Sequence, residues 1–202
     1  KGTERSSYVY KKFFAVTLGN ETMFTINKAG VITEYKGNAK YLKIPEVING
    51  ITVKDISSFS GFDKAKLYGV ILPDTVEYLG WTMDYYERAT TEDEQFGLFE
   101  DNTTLDFIIG NGIKVIGYYG VSFIPNLYEV QFPNCEEIMC AGFYESSLIG
   151  AVFPKVKKID NEAFYNIAKL REIYLPECEY IGCNAFYLAK RLRIFYAPKT
   201  NY

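Results

Sequence analysis

The chain contains no histidine. Ser-His-Asp and Cys-His nucleophilic mechanisms are therefore excluded, and so are histidine-ligated zinc sites. No apolar run approaches the roughly 18–20 residues that a membrane-spanning helix needs. The opening KGTERSSYVYKK lacks the apolar segment of a signal peptide. A cytosolic protein, or a mature domain freed of its export signal, is expected. An excess of charge is also missing. Lys and Arg number 22 against 25 Asp and Glu, a net charge of −3, so neither a nucleic-acid nor a membrane binder is indicated. What is abundant is aromatic: 18 tyrosines and 15 phenylalanines in a chain that is 48% hydrophobic, enough for a continuous core.

A repeat organises these residues. Leucines at Leu67, Leu105, Leu127, Leu148, Leu170 and Leu192 open successive copies, the last four intervals being 22, 21, 22 and 22 residues. Counting each leucine as zero, position plus three holds Val70, Ile108, Val130, Ala151, Ile173 and Phe195. Plus five holds Leu72, Gly110, Phe132, Phe153, Leu175 and Ala197. Proline follows at plus six, with Asn111 as the exception, and isoleucine at plus eleven in Ile116, Ile138, Ile159 and Ile181. Then come Gly142-Phe143, Ala163-Phe164 and Ala185-Phe186, with Gly120-Val121 as a weaker version. Leu42, Ile44, Pro45, Val47 and Ile56 form a degenerate first copy interrupted by INGITV. About seven coils result.

Apolar residues at plus three and plus five alternate as in a short strand with one buried face. Proline at plus six cannot donate to the next ladder bond and ends the strand. Alanine or glycine before the phenylalanine lets the returning limb approach closely, and the ring fills the core. One unit of this size cannot bury its face alone, so the units stack with a parallel sheet along one side. Residues 1–38 do not repeat. Their β-prone stretches YVYKKFFAV, TMFTI and GVITEY, separated by GNE and NKAG turn signals, are read as an N-terminal β cap, with the solenoid over 39–202. Residues 82–104 depart from the coil pattern. They contain the acidic DYYERATTEDEQFGLFED, read as an insertion that loops out of the stack.

The segment LREIYLPECEYIGCNAF, Leu170 to Phe186, resembles the unit of the BspA-like, treponemal-type leucine-rich repeats, L-x-x-I-x-L-P-x-x-L-x-x-I-G-x-x-A-F. FTINKAGVITEYKGNAKYLKIPEVINGITVKDI, Phe24 to Ile56, resembles that family's entry into the array. The resemblance spans about residues 24–202. Asn111 in place of proline, and Asp160 and Met139 in place of the glycine, are departures from it. It implies an α/β-type repeat solenoid, mostly β: a right-handed superhelix with a parallel sheet on one face and short turns or helical turns on the other. It also implies a bacterial protein, secreted or at the cell surface, that is not an enzyme and works by adhesion or recognition of a host or partner protein. No catalytic residues, cofactor or metal are implied.

Candidate binding residues lie on the strand face pointing away from the core, at plus two and plus four. They are Tyr41, Ile71, Phe107, Ile109, Val152, Glu172, Tyr174 and Tyr196, with Arg193 beside Tyr196. Exposed sheet faces are usually polar. A largely apolar and aromatic stripe instead marks a recognition surface, unless a cap, the acidic insertion or another subunit covers it. The alternative ligand is a glycan, stacked on Tyr174 beside Glu172 or on Tyr196 beside Arg193. Tyr144, Tyr165 and Tyr187 form a second row, read as structural stacking. Cys135 and Cys178 stand at plus eight, an inward position held by Val156 and Ile113 in other copies. They are read as buried free thiols two coils apart, too far for a disulfide. The four-residue gaps in CEEIMC and CEYIGC do not match zinc spacing, and the carboxylates of the insertion match no calcium loop. GNG at 110–112 is a turn without the context of a phosphate loop.

Overall fold

The computed structural model describes residues 16–56, 61–62, 65–82, 98–100 and 102–200. The stretch 8–15 of the cap and nearly all of the acidic insertion, 83–97 and 101, lie outside the described residues.

Strand β1 (Thr17–Leu18) begins the described chain, and the antiparallel hairpin of β2 (Phe24–Ile26) and β3 (Ile32–Tyr35) follows. β1 pairs in parallel with β4 (Tyr41–Lys43), so it adds an edge strand to the sheet of the repeats. Phe24, Ile32 and Tyr35 from the hairpin enter the common core. The interruption INGITV is itself a hairpin, β5 (Val47–Ile48) against β6 (Ile51–Thr52). Its turn residues Asn49 and Gly50 both have positive φ, 52° and 75°, as a two-residue hairpin with an Asn-Gly turn requires.

Each later coil but the last contributes a three-residue and a two-residue strand, and the last contributes a three-residue strand among the described residues. They are β7 (Gly69–Ile71) and β8 (Tyr78–Leu79), β9 (Phe107–Ile109) and β10 (Val115–Ile116), and β11 (Glu129–Gln131) and β12 (Glu137–Ile138). β13 (Gly150–Val152), β14 (Lys158–Ile159), β15 (Glu172–Tyr174), β16 (Tyr180–Ile181) and β17 (Ile194–Tyr196) complete the series. The first strands of the coils pair in parallel with plus three in register: Leu42, Val70, Ile108 and Val130, and then Ala151, Ile173 and Phe195. The ladder is interrupted between β11 and β13, after the one coil of 21 residues, where Ile149 N still donates to Tyr128 O at 3.4 Å. The short strands build a second parallel sheet that aligns Leu79, Ile116, Ile138, Ile159 and Ile181.

A third side joins the coils through turns. Ala141, Phe143 and Glu145 donate backbone N–H groups to Asn161, Ala163 and Tyr165 of the next coil, and Glu162, Phe164 and Asn166 to Cys183, Ala185 and Tyr187. This alternation requires two left-handed residues per coil: Tyr119 and Phe123, Ala141 and Glu145, Glu162 and Asn166, Asn184 and Leu188, with φ from 52° to 60°. They turn alternate N–H groups toward the neighbouring coil, where a right-handed turn would satisfy them within its own chain.

The fold is thus mostly β, and the one described helical element is the 3₁₀ turn Glu21–Met23. Its core is continuous along the stack. Phe143, Phe164 and Phe186 form a ladder with ring centroids 5.0 and 5.1 Å apart. A fully buried Leu, Ile or Phe contributes about 1.5–3 kcal/mol, and only the neighbouring coils supply the second wall. The C-terminal end of the inserted segment is core rather than loop. Leu98 and Phe99 are buried, and Phe99 packs on Phe62 at 5.8 Å. Buried Asn102 donates to Phe62 O and Ala65 O, while its Oδ1 accepts from Thr104 N and Oγ1. The reading of 82–104 as a segment that loops out is corrected for these residues: their apolar and polar groups are satisfied inside the stack.

Candidate functional site

The outward face of the main sheet is divided into three zones. In the first coils, Phe107 is 5% exposed and Ile109 6%, so the expectation that both are open is corrected. The cause at Phe107 is visible in the register. Gly69 lies beside Phe107 in the neighbouring strand, and a Cβ on Gly69 would stand 2.2 Å from the Phe107 ring. The ring has folded across the glycine, and Tyr41 from the strand beyond stacks on it at 6.0 Å and 12°. Tyr41 also packs on Tyr68 at 6.0 Å, and Ile71 is half-buried. Four of the candidate residues therefore form a largely closed aliphatic and aromatic patch. The middle zone is polar: Gln131 donates to Glu129 at 2.8 Å.

The last three strands are different. Val152 is 58% exposed and Tyr196 49%, and Ile194 is also exposed. Tyr174 is half-buried, its ring 6.2 Å from that of Tyr196 and tilted by 39°. Glu172 lies over Gly150, with its Cγ 3.0 Å from where a Cβ would be. Arg193 immediately precedes β17 and is exposed. The structure thus brings Val152, Glu172, Tyr174, Tyr196 and Arg193 onto one open surface and separates them from Tyr41, Ile71, Phe107 and Ile109.

Missed from the linear sequence is a cleft of about 430 Å³ lined by Arg171, Arg191 and Arg193. Arg171 and Arg193 stand at plus one of adjacent coils, and Arg193 N donates to Arg171 O at 2.8 Å. The signal available was the shared position of Arg171 and Arg193 in the repeat, read with Arg191 two residues before Arg193.

On the turn side, Tyr144 and Tyr165 stack at 4.8 Å and 4°, and Tyr165 and Tyr187 meet at 5.4 Å. This is the structural row expected. Phe123 extends it at 5.4 Å from Tyr144.

Cys135 and Cys178 are buried and free, and their Sγ–H groups donate to Glu137 O and Tyr180 O. Burial pushes the Cys135 thiol up to about 12 and raises that of Cys178 as well. Cys140 is half-buried and Cys183 exposed. Among the described residues, no three Cys, Asp or Glu side chains converge as in a metal site.

Solved structures share this architecture. A leucine-rich repeat protein of T. pallidum matches 88% of this chain and 71% of its own at 20% identity and a TM-score of 0.52. One from Bacteroides ovatus matches 88% of this chain and 52% of its own at 19% identity and a TM-score of 0.58. No curated protein matches. The model of the BspA type leucine rich repeat region matches residues 95–202 in six copies. With the repeat register, the parallel sheets and this match in agreement, the chain belongs to the BspA-type leucine-rich repeat family.

Proposed function

We propose that this chain is a non-catalytic binding module of a secreted or cell-surface bacterial protein, and that it takes a protein partner on the outward face of β13, β15 and β17. The observation that carries this is the exposure of Val152, Ile194 and Tyr196, with half-buried Tyr174 between them, on adjacent strands. An apolar patch rimmed by charge is the usual composition of an interface centre. Tyrosine and arginine are the types that dominate interface energy. Family membership supports the same reading, since a stack of coils presents one extended surface. A neutral-sugar platform is less well supported, because the 39° tilt leaves the two tyrosine rings without a common plane.

The test uses one variant, Tyr174→Ala with Tyr196→Ala. Parent and variant are used as baits against extracellular proteins and on a glycan array. The variant should lose about 2–4 kcal/mol of affinity for the captured protein and keep its melting temperature. Capture retained by a variant with a lowered melting temperature would show that the tyrosines serve the fold.

A further inference from the structure

Three of the chain's five arginines meet in the cleft formed by Arg171, Arg191 and Arg193, although the chain as a whole is acidic. All three are exposed, and none of their side chains has a hydrogen bond or ion pair with a described residue. Elsewhere on the surface, some lysines pair with carboxylates in the adjacent coil: Lys114 with Glu77 at 2.6 Å, Lys158 with Glu137 at 2.7 Å, and Lys199 with Glu177 at 2.5 Å. Lys169 extends the basic area, its ammonium 5.0 Å over the Tyr128 ring.

We infer that this cleft receives an acidic segment of the partner protein, with carboxylates of Asp or Glu side chains bound by the three guanidinium groups. The inference rests on the reading of the sheet face as the partner surface and names the partner's chemistry. Guanidinium presents a planar fork of donors that matches a carboxylate bidentately. Two of the three arginines sit in stacked coils, where strands are about 4.8 Å apart, so consecutive carboxylates of an extended segment can be shared between them. The cleft is open, and single solvent-exposed ion pairs are weak, so retention needs several charges on one ligand. Arg171 and Arg193 directly precede β15 and β17, whose far ends carry Tyr174 and Tyr196. A protein can engage both the cationic and the aromatic part. A sulfated polysaccharide or nucleic acid has no use for Val152 and Ile194.

The experiment titrates a labelled deca-glutamate peptide into the whole chain at low and physiological salt. The parent should bind, more weakly as salt rises. Arg171→Gln with Arg191→Gln and Arg193→Gln should bind about 10- to 100-fold more weakly, with an unchanged melting temperature. The triple Arg→Lys variant should recover part of the loss, since it keeps charge without the fork. The Tyr174→Ala/Tyr196→Ala variant should bind this probe as the parent does, so failure of the aromatic stripe and failure of the cleft are read separately. No binding by the parent, or equal binding by the Gln variant, overturns the inference. Heparin or single-stranded DNA of matched charge, bound more tightly than the peptide and lost in the Gln variant, overturns it in favour of a general polyanion site.

Discussion

Gly69 and Gly150 occupy the same place, two residues after the repeat leucine, on the outward face of the main sheet. At Gly69 the neighbouring strand supplies Phe107, whose ring covers the glycine and is stacked by Tyr41. At Gly150 the neighbouring strand supplies Glu172, a flexible charged chain, and the surface around it stays open. One repeat position thus yields a closed patch in the early coils and an open one in the late coils. The alternation of the strand decides only which way a side chain points. Whether it reaches solvent depends on whether the adjacent coils leave a gap and a ring to fill it.

The largest expected effect tests the closed side. Phe107→Ala should cost about 3–5 kcal/mol, the usual range for a buried phenylalanine. Tyr196→Ala, an outward aromatic on the open side, should stay within about 1 kcal/mol. Denaturant titrations of the two variants measure the difference directly. Equal costs would mean that both ends of the sheet face are packed alike.

Next comes Gly69→Ala. Its Cβ would stand 2.2 Å from the Phe107 ring, so the ring must leave its seat and give up its contact with Tyr41. Overpacking of this kind costs about 1–3 kcal/mol. A denaturation midpoint at or above that of the parent would show that Phe107 moves aside freely.

Much of this architecture was legible in the sequence because it repeats. The leucine at zero, the apolar plus three and the isoleucine at plus eleven each found partners of the same kind one coil away, so in-register evidence accumulated from copy to copy. The fate of Phe107 was hidden because it depends on Tyr41 and Gly69 from two other coils and on how far a ring can lean. The left-handed positions were hidden for another reason. Asn166 and Asn184 are types that visit this region, but Tyr119, Phe123, Glu145 and Leu188 are not, and the pattern lives in the backbone. Asn102 lay inside a segment whose acidity marked it as loop, yet its amide ties Phe62 and Ala65 to Thr104. Arg191 meets Arg171 only when two coils stack.

The thiols repeat the contrast of closed and open. In the fold, Cys135 titrates at about 12 because burial penalises the thiolate, against 9.0 for an ordinary thiol. The folded state therefore holds its proton where the unfolded state has lost it, and stability is fully present below pH 9 and falls as pH rises toward 12. At pH 10 the loss is about 1.4 kcal/mol. Cys135→Val, the residue type found at this position as Val156, should remove that increment. Unfolding free energies of both proteins at pH 8 and pH 10 give the answer, and parallel curves would contradict it. In the native protein a thiol reagent should label exposed Cys183 well before Cys135.

A smaller effect is expected at the turns. Plus fourteen is Ala141, Glu162 and Asn184 in successive coils, always left-handed. A non-glycine residue pays a steric penalty there that asparagine partly escapes. Glu162→Asn should therefore stabilise by about 0.5–1 kcal/mol, read as a rise in melting temperature. A fall would mean that the Glu162 side chain contributes more than its backbone strain costs.

The smallest effect belongs to Gly150→Ala, the counterpart of the change at Gly69. Gly150 does not have positive φ, so alanine can take its backbone conformation. The added Cβ would meet Glu172 Cγ at 3.0 Å and Oε1 at 3.3 Å, both on a long side chain beside open solvent. Half-buried Glu172 has to give by a few tenths of an ångström, a smaller displacement than that of a ring driven from its seat. Against the small cost of that movement stands a gain, because glycine in a strand carries about 0.5–1 kcal/mol of extra conformational entropy to lose on folding. The two nearly cancel, and the change in stability should lie within about 0.5 kcal/mol of zero. The informative quantity is its difference from Gly69→Ala, which places the same methyl group at the same repeat position. If both substitutions destabilise equally, the neighbouring side chain is not what separates the covered face from the open one. If Gly150→Ala is neutral while Gly69→Ala is costly, a single aromatic ring accounts for the contrast.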